Sequence, residues 1–408
     1  MKKLMLTLIF VLAATSAFAL PIKVGEDTVD VYASIRAYTV FTHTMTDEKA
    51  LGICSRPAGK SCSQLAIGLQ DNSRAGIKWT HGSFFFNNEW GITNVDAGNA
   101  QLRLRFLYGD YKFAGGEKGR IRIGQLPGIV HTSSYYDSKL SADNALQGYG
   151  TMSDVRRIGI NYEIGKFSVA ALSMRQDIGG SNLRSISLYG QGSRSDGTFV
   201  EIMPRIEAAY SITPDVKVAG TYVKSSFRGN DDKLTSVDAG HIMVAANPKI
   251  TENIRLVASG FYSVNGGLYG MVNIGGMGIN TDGLSSSSYD KGEAISRGSL
   301  MALPVQKYEN DKFAWDNTKV FGGAVAIAAN AFEVGFGIQS ANNNAYEDNA
   351  TGMGVYANYK YRISNFRITP EVGYLHSGDY PRFKGQTQID APPALRGLRA
   401  GVQFRFDI

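Results

Sequence analysis

ALRGLRAGVQFRFDI, residues 394–408, closes the chain, and its reading decides the fold class. Leu398, Ala400, Val402, Phe404, Phe406 and Ile408 make one apolar series; Arg399, Gly401, Gln403, Arg405 and Asp407 make the alternate series, small, polar or charged. A period of two belongs to a β-strand with one greasy and one wet face. At about 3.3 Å per residue, the regular part is long enough to cross a bilayer at a tilt. Lipid offers no partner to a backbone N–H or C=O, so a strand can cross it only inside a closed barrel. A half-buried strand of a soluble sandwich shows the same alternation, so this stretch alone leaves both readings open.

Working outward, the same rhythm recurs. Val31, Ala33, Ile35 and Ala37 alternate with Tyr32, Ser34, Arg36 and Tyr38. A long polar connection from Thr42 to about Asn72 follows, then a second strand from Ser73 to Trp79, a turn at His81-Gly82 and a third strand, FFFNNEWGI. In QLRLRFLYGDYKF, Leu102, Leu104, Phe106 and Tyr108 form the outward series against Gln101, Arg103 and Arg105. RIRIGQ leads into a long connection, and RRIGINYEI turns at Gly165 into KFSVAALSMRQ. Further hairpins turn at Thr213-Pro214-Asp215, Asn247-Pro248, Asn330 and Ser364-Asn365, with a Gly- and Ser-rich region at about 265–317. This predicts about sixteen strands (fourteen or eighteen being the alternatives) whose connections alternate short and long. Outer-membrane barrels follow that rule; Greek-key sandwiches have no reason to. The expected fold is therefore an all-β transmembrane antiparallel barrel. Tyr108, Phe113, Phe167, Tyr210, Tyr222, Tyr359, Tyr361, Phe366, Phe404 and Phe406 sit near strand ends, where aromatic girdles form.

Composition agrees. Mean hydropathy is −0.14, too polar for a helical membrane protein, and 47 Gly, 21 Tyr and 20 Phe suit a barrel whose lumen face offsets its lipid face. The start, MKKLMLTLIFVLAATSAFA, reads as a signal peptide over residues 1–19 with an A-x-A cleavage site, leaving one barrel domain over 20–408. Losing Lys2 and Lys3 lowers the formal charge from +6 to +4, too mild to argue for nucleic acid. Cys54 and Cys62 lie close together, and export into an oxidising compartment predicts a disulfide between them.

The opening DVYASIRAY, NSRAGIKW after the first long connection, and RIRIGQ before another, set in alternation over almost the whole chain, resemble the general bacterial porins. These are sixteen-stranded, trimeric channels of outer membranes. The resemblance implies a homotrimer in outer-membrane lipid, passing small hydrophilic solutes and ions through a water-filled lumen without a cofactor. It also implies that the third long connection, about 127–153, folds into the lumen as a constriction. Family pores set loop acids against a basic wall. Here the loop and its exit carry Asp137, Asp143 and Asp154 beside Lys139; the strands offer Arg36, Arg74, Arg103, Arg105 and Arg157, with Arg120 and Arg122 flanking the loop. Arg205, Arg255, Arg399 and Arg405 share the lumen register, where Glu163, Glu207 and Glu371 are the alternative, purely structural partners. Facing rows of opposite charge make a transverse field that favours polar, hydrated solutes.

Signals for chemistry are weak. Gly59-Lys60-Ser61 imitates the tail of a phosphate loop, but Cys54 stands where its first glycine belongs. The five histidines lack metal-ligand spacing. Gly-Gly-Met-Gly at 275–278 lacks the third glycine of a dinucleotide loop. His131 with Ser133 and Ser134 could form a nucleophilic pair of a barrel hydrolase. The expectation is a channel and no enzyme, with a solute-specific channel for phosphate, another anion or a sugar as the nearest alternative.

Overall fold

The computed structural model describes residues 22–46, 62–70, 72–93, 101–114, 118–138, 146–152, 156–173, 198–228, 234–269, 305–309, 312–344, 348–378 and 395–408. Sixteen antiparallel strands close into a ring. β1 is Asp27–Thr46. β2 comes in two runs, Cys62–Leu69 and Arg74–His81, which pair with successive halves of β1. β3 (Phe84–Thr93), β4 (Gln101–Lys112), β5 (Arg120–Pro127), β6 (Arg156–Ile164) and β7 (Phe167–Leu172) follow. β8 is again split, Thr198–Ile202 and Arg205–Thr213; β9 is Val216–Arg228, β10 Leu234–Ala246 and β11 Ile254–Val264. β12 (Lys319–Ala329), β13 (Phe332–Asn342), β14 (Ala350–Tyr359, continued by Tyr361–Ile363), β15 (Phe366–Ser377) and β16 (Leu395–Asp407) complete it. The last strand pairs with the first from Ser34↔Asp407 to Thr46↔Leu395. Ala33 and Ile408 exchange both backbone hydrogen bonds, at 3.0 and 2.8 Å. Two small pieces lie apart from the ring's strands: Ile22–Val24, folded back on β1, and a separate hairpin of Val305–Glu309 with Lys312–Asp316.

The ring is inverted relative to a soluble protein. Along β13, Phe332, Val334, Phe336 and Ile338 are exposed, whereas Glu333 and Gln339 of the alternate series are buried. Ile67 is 77% and Leu102 73% exposed. A continuous apolar exterior of this kind is stable only against hydrocarbon. One rim is made of tight turns. Gly82 and Gly165 take φ of 52° and 55° at the first position of two-residue loops, the left-handed geometry that matches the twist of a hairpin. The strand ends joined by the long connections lie at the other rim. Phe167, Tyr210, Tyr359, Tyr361, Phe404 and Phe406 face outward near the tight-turn rim, at girdle level.

Three expectations need correction. The second strand begins at Cys62, eleven residues before Ser73: Leu65, Ile67 and Leu69 face outward there, and β1 runs on to Thr46 to pair with them. The two runs of β2 are separated at Gln70–Ser73, where Ser73 N–H donates to the Gln70 carbonyl and Ser73 Oγ binds the backbone of Arg36. The outward series Leu102, Leu104, Phe106, Tyr108 breaks at a β-bulge opposite Glu89 and Trp90. The extra residue resets the alternation, so Leu107 faces out while Tyr108 packs on the interior core and Asp110 is buried. Tyr108 is accordingly no girdle residue.

Candidate functional site

The connection after β5 turns into the barrel and lies along the inner wall from β8 to β15. Its apolar side chains find a core there. Ile129, Val130 and Met152, with Leu126 of β5, pack with Ala219, Met243, Ala245 and Phe261; Tyr136, Leu146 and Tyr149 pack with Val257, Ala324, Ala326, Tyr356 and Leu375. The bed beneath is made of small residues, because the loop backbone touches the wall backbone. A Cβ on Gly337 would meet the Tyr149 carbonyl at 2.1 Å, and one on Gly150 would meet the Gly323 carbonyl at 2.2 Å.

Polar contacts pin the loop at successive strands. Ile129 N–H donates to Glu207 Oε2 at 2.6 Å, and Lys217 Nζ donates to the Ile129 carbonyl. Tyr136 Oη donates to the Ala324 carbonyl at 2.6 Å and meets Ser259 Oγ at 2.8 Å; burial pushes its phenol up to about 12, so it remains a donor. Asp137 N–H donates to Glu333 Oε1 at 2.8 Å, and Asn358 Nδ2 to the Asp137 carbonyl at 2.8 Å. Ser138 Oγ donates to Glu371 Oε1 at 2.8 Å. Glu333, fully buried, also accepts from Tyr356 Oη at 2.6 Å and pairs with Lys360 at 3.1 Å and Arg255 at 3.4 Å.

The far wall, β1 to β6, carries the arginines. Arg105 Nε binds Glu89 Oε1 at 2.6 Å and Arg74 Nε lies 3.5 Å from Oε2, which also accepts from Tyr32 Oη at 2.8 Å. Arg103 and Arg105 both lean over Gly91, where a Cβ would strike Arg105 Cδ at 2.6 Å. Arg122 binds Asp110 at 2.9 Å and Glu163 at 3.1 Å; Arg120 binds Glu163 at 2.6 Å. Arg36 Nε donates to Ser34 Oγ at 3.3 Å, and Arg157 Nη1 to the Arg156 carbonyl at 2.8 Å.

The structure thus brings Arg74 and Arg105 together around Glu89, with Arg103 beside Arg105 over Gly91, and Arg120 with Arg122 around Asp110 and Glu163. It does not set Asp137 against them: its carboxylate pairs with Lys360, on the wall where the loop rests. For Asp137 that expectation is corrected, because the loop lies on the β8–β15 wall and the Ile129 and Asp137 N–H groups are held by wall carboxylates. Lys139, Asp143, Asp154 and Cys54 lie outside the described residues; Cys62 opens β2. Ser134 Oγ is 3.2 Å from His131 Nδ1, a contact between residues three apart at the start of the short 3₁₀ turn Ser133–Tyr135. Among the described residues no three His, Cys, Asp or Glu side chains are placed to hold a metal.

The outer membrane channel DcaP of Acinetobacter baumannii has the same architecture: TM-score 0.58 over 95% of this chain and 99% of that one, at 13% identity. The chain has the porin fold. The anion-selective porin from Comamonas acidovorans matches at TM-score 0.50 over 93% of this chain and all of that one, also at 13% identity. No family model and no curated protein matches the sequence. Within this porin fold, the residues sequence reading missed are Glu333, Tyr356, Asn358 and Lys360. Their partners lie about two hundred residues away along the chain, and only strand register joins them. One signal was present: glycines at alternate positions 335, 337, 352 and 354 leave side-chain space on one face of β13 and β14.

Proposed function

We propose that this chain is an outer-membrane channel for passive diffusion of small hydrophilic solutes and ions, with the 128–152 loop as its constriction. The observation that carries the reading is the seating of that loop on one inner wall, opposite a wall of arginine–carboxylate networks inside an apolar-faced closed ring. The transverse field then runs between the Glu89-centred arginines and the loop. Field-focusing walls of this kind sort solutes by charge and hydration without covalent chemistry. The proposal includes removal of residues 1–19 on export and assembly as a homotrimer. Purified protein reconstituted into a planar bilayer is expected to give stepwise ohmic conductance, in steps of three for a trimer. A protein that folds and inserts yet never conducts would overturn the channel.

The pairing of Cys54 with Cys62 belongs to the same proposal. A bridge closing so short a loop contributes about 2–3 kcal/mol, confined to the region between β1 and β2. The Cys54→Ser, Cys62→Ser double variant is therefore expected to fold and conduct as the parent does. Thiol titration of the unfolded, unreduced parent should find none; two reactive thiols would refute the bridge.

A further inference from the structure

Four arginines stand in register on four adjacent strands. Arg362 of β14 pairs with Arg367 of β15, Arg367 with Arg405 of β16, and Arg405 with Arg36 of β1. Their neighbours Tyr361, Ile363, Phe404, Phe406 and Ile35 are exposed on the apolar exterior, so alternation turns the arginines to the interior. Directly paired residues lie about 4.5–5.5 Å apart, and like charges at that spacing destabilise a sheet. Among the described residues one carboxylate answers part of this: Arg405 Nε donates to Asp407 Oδ1 at 2.7 Å and Arg367 acts on the same carboxylate. Arg36 Nε donates to Ser34 Oγ, while Glu371, further up β15, is engaged by Ser138 and Asn358. The row lies beside the Ser364–Asn365 turn and the chain end, hence at the tight-turn mouth. It runs from buried Arg36 to exposed Arg362.

Resting on the channel reading above, we propose that this row is a binding site for the carboxylate or phosphate groups of anionic solutes at the tight-turn mouth. Guanidinium planes receive oxyanions through two parallel N–H···O bonds, which a halide cannot accept in the same way. Adjacent guanidiniums at strand spacing suit a multivalent anion bridging two of them. Binding at the mouth would draw such solutes through the lumen and make them compete with chloride.

The test uses the reconstituted full-length protein, with citrate as probe, added to each side of the bilayer in turn while chloride current is recorded. Citrate is expected to halve the current of the parent at a concentration at least ten times lower than for Arg362→Gln, Arg367→Gln. Lys249→Gln, on another tight turn, should match the parent. Equal citrate sensitivity in the conducting double variant would overturn the site and leave the channel reading standing. A parent without conductance would overturn both. Should the glutamine variant fail to fold, Arg367→Lys, Arg405→Lys decides, since it retains charge and loses the planar fork. It is expected to keep the parent's reversal potential and to weaken the citrate block at least threefold. Parent-like block in that variant would overturn guanidinium recognition.

Discussion

Replacing Glu333 with alanine is expected to destabilise the folded barrel by about 3–5 kcal/mol, the cost of breaking a buried ion pair from one side, and to release the inner loop from its seat. The carboxylate is fully buried and holds four groups: Tyr356 Oη, Asp137 N–H, Lys360 and Arg255. Without it, Lys360 keeps Asp137, but the phenol and the backbone N–H lose an acceptor in a dry site, each costing about 1–3 kcal/mol. Glu333→Gln retains an acceptor oxygen and loses the charge, so its effect should be smaller. The measurements are the temperature at which the folded gel band converts to the unfolded one, and protease cleavage within 128–152. Parent-like values for Glu333→Ala in both would show that the loop is held by its apolar packing alone.

Glu89→Gln should give the largest change in ion selectivity. It uncovers Arg74 and Arg105 at the centre of the far wall without removing bulk. One unit charge about 4 Å from an ion's path is worth about 1 kcal/mol even at the dielectric of water, a factor of about five in partition, and more in a confined lumen. Charges beyond about 10 Å are screened in 0.1 M salt, so rim substitutions such as Lys166→Gln should do little. The reversal potential in a salt gradient should move toward anions for Glu89→Gln and toward cations for Arg103→Ala, Arg105→Ala. Shifts no larger than that of Lys166→Gln would place the narrowest part of the pore elsewhere.

Much of the fold was legible in the sequence because a two-sided strand in lipid alternates wherever it is regular, as β12 and β16 do and β13 does from Phe332 to Gln339. The first part of β2 escaped notice for a physical reason. Its inward positions at Ala66 and Gly68 are small rather than charged, and the strand is interrupted at Gln70–Ser73, so Leu65, Ile67 and Leu69 read as part of a polar loop. The bulge before Phe106 was equally invisible, since one inserted residue leaves no mark on composition. The basic wall was readable from alternation alone. Asp137 was misplaced: it was expected to face the arginines, but it turns to Lys360 while Glu333 and Glu371 receive the loop; Asp143 and Asp154 lie outside the described residues. Only register between distant strands could reveal that.

The reciprocal bonds between Ala33 and Ile408 carry a consequence for how the molecule comes into being. The first strand stays unpaired on one side until the last strand of the ring has been made and delivered. A chain in transit therefore carries two raw sheet edges, each able to recruit a stranger, and the contact that removes them has the greatest separation along the chain that the ring contains. Such a seam closes late and slowly. Nascent copies must be kept solitary until their ends meet, and loss of β16 would leave a ribbon where there should be a tube.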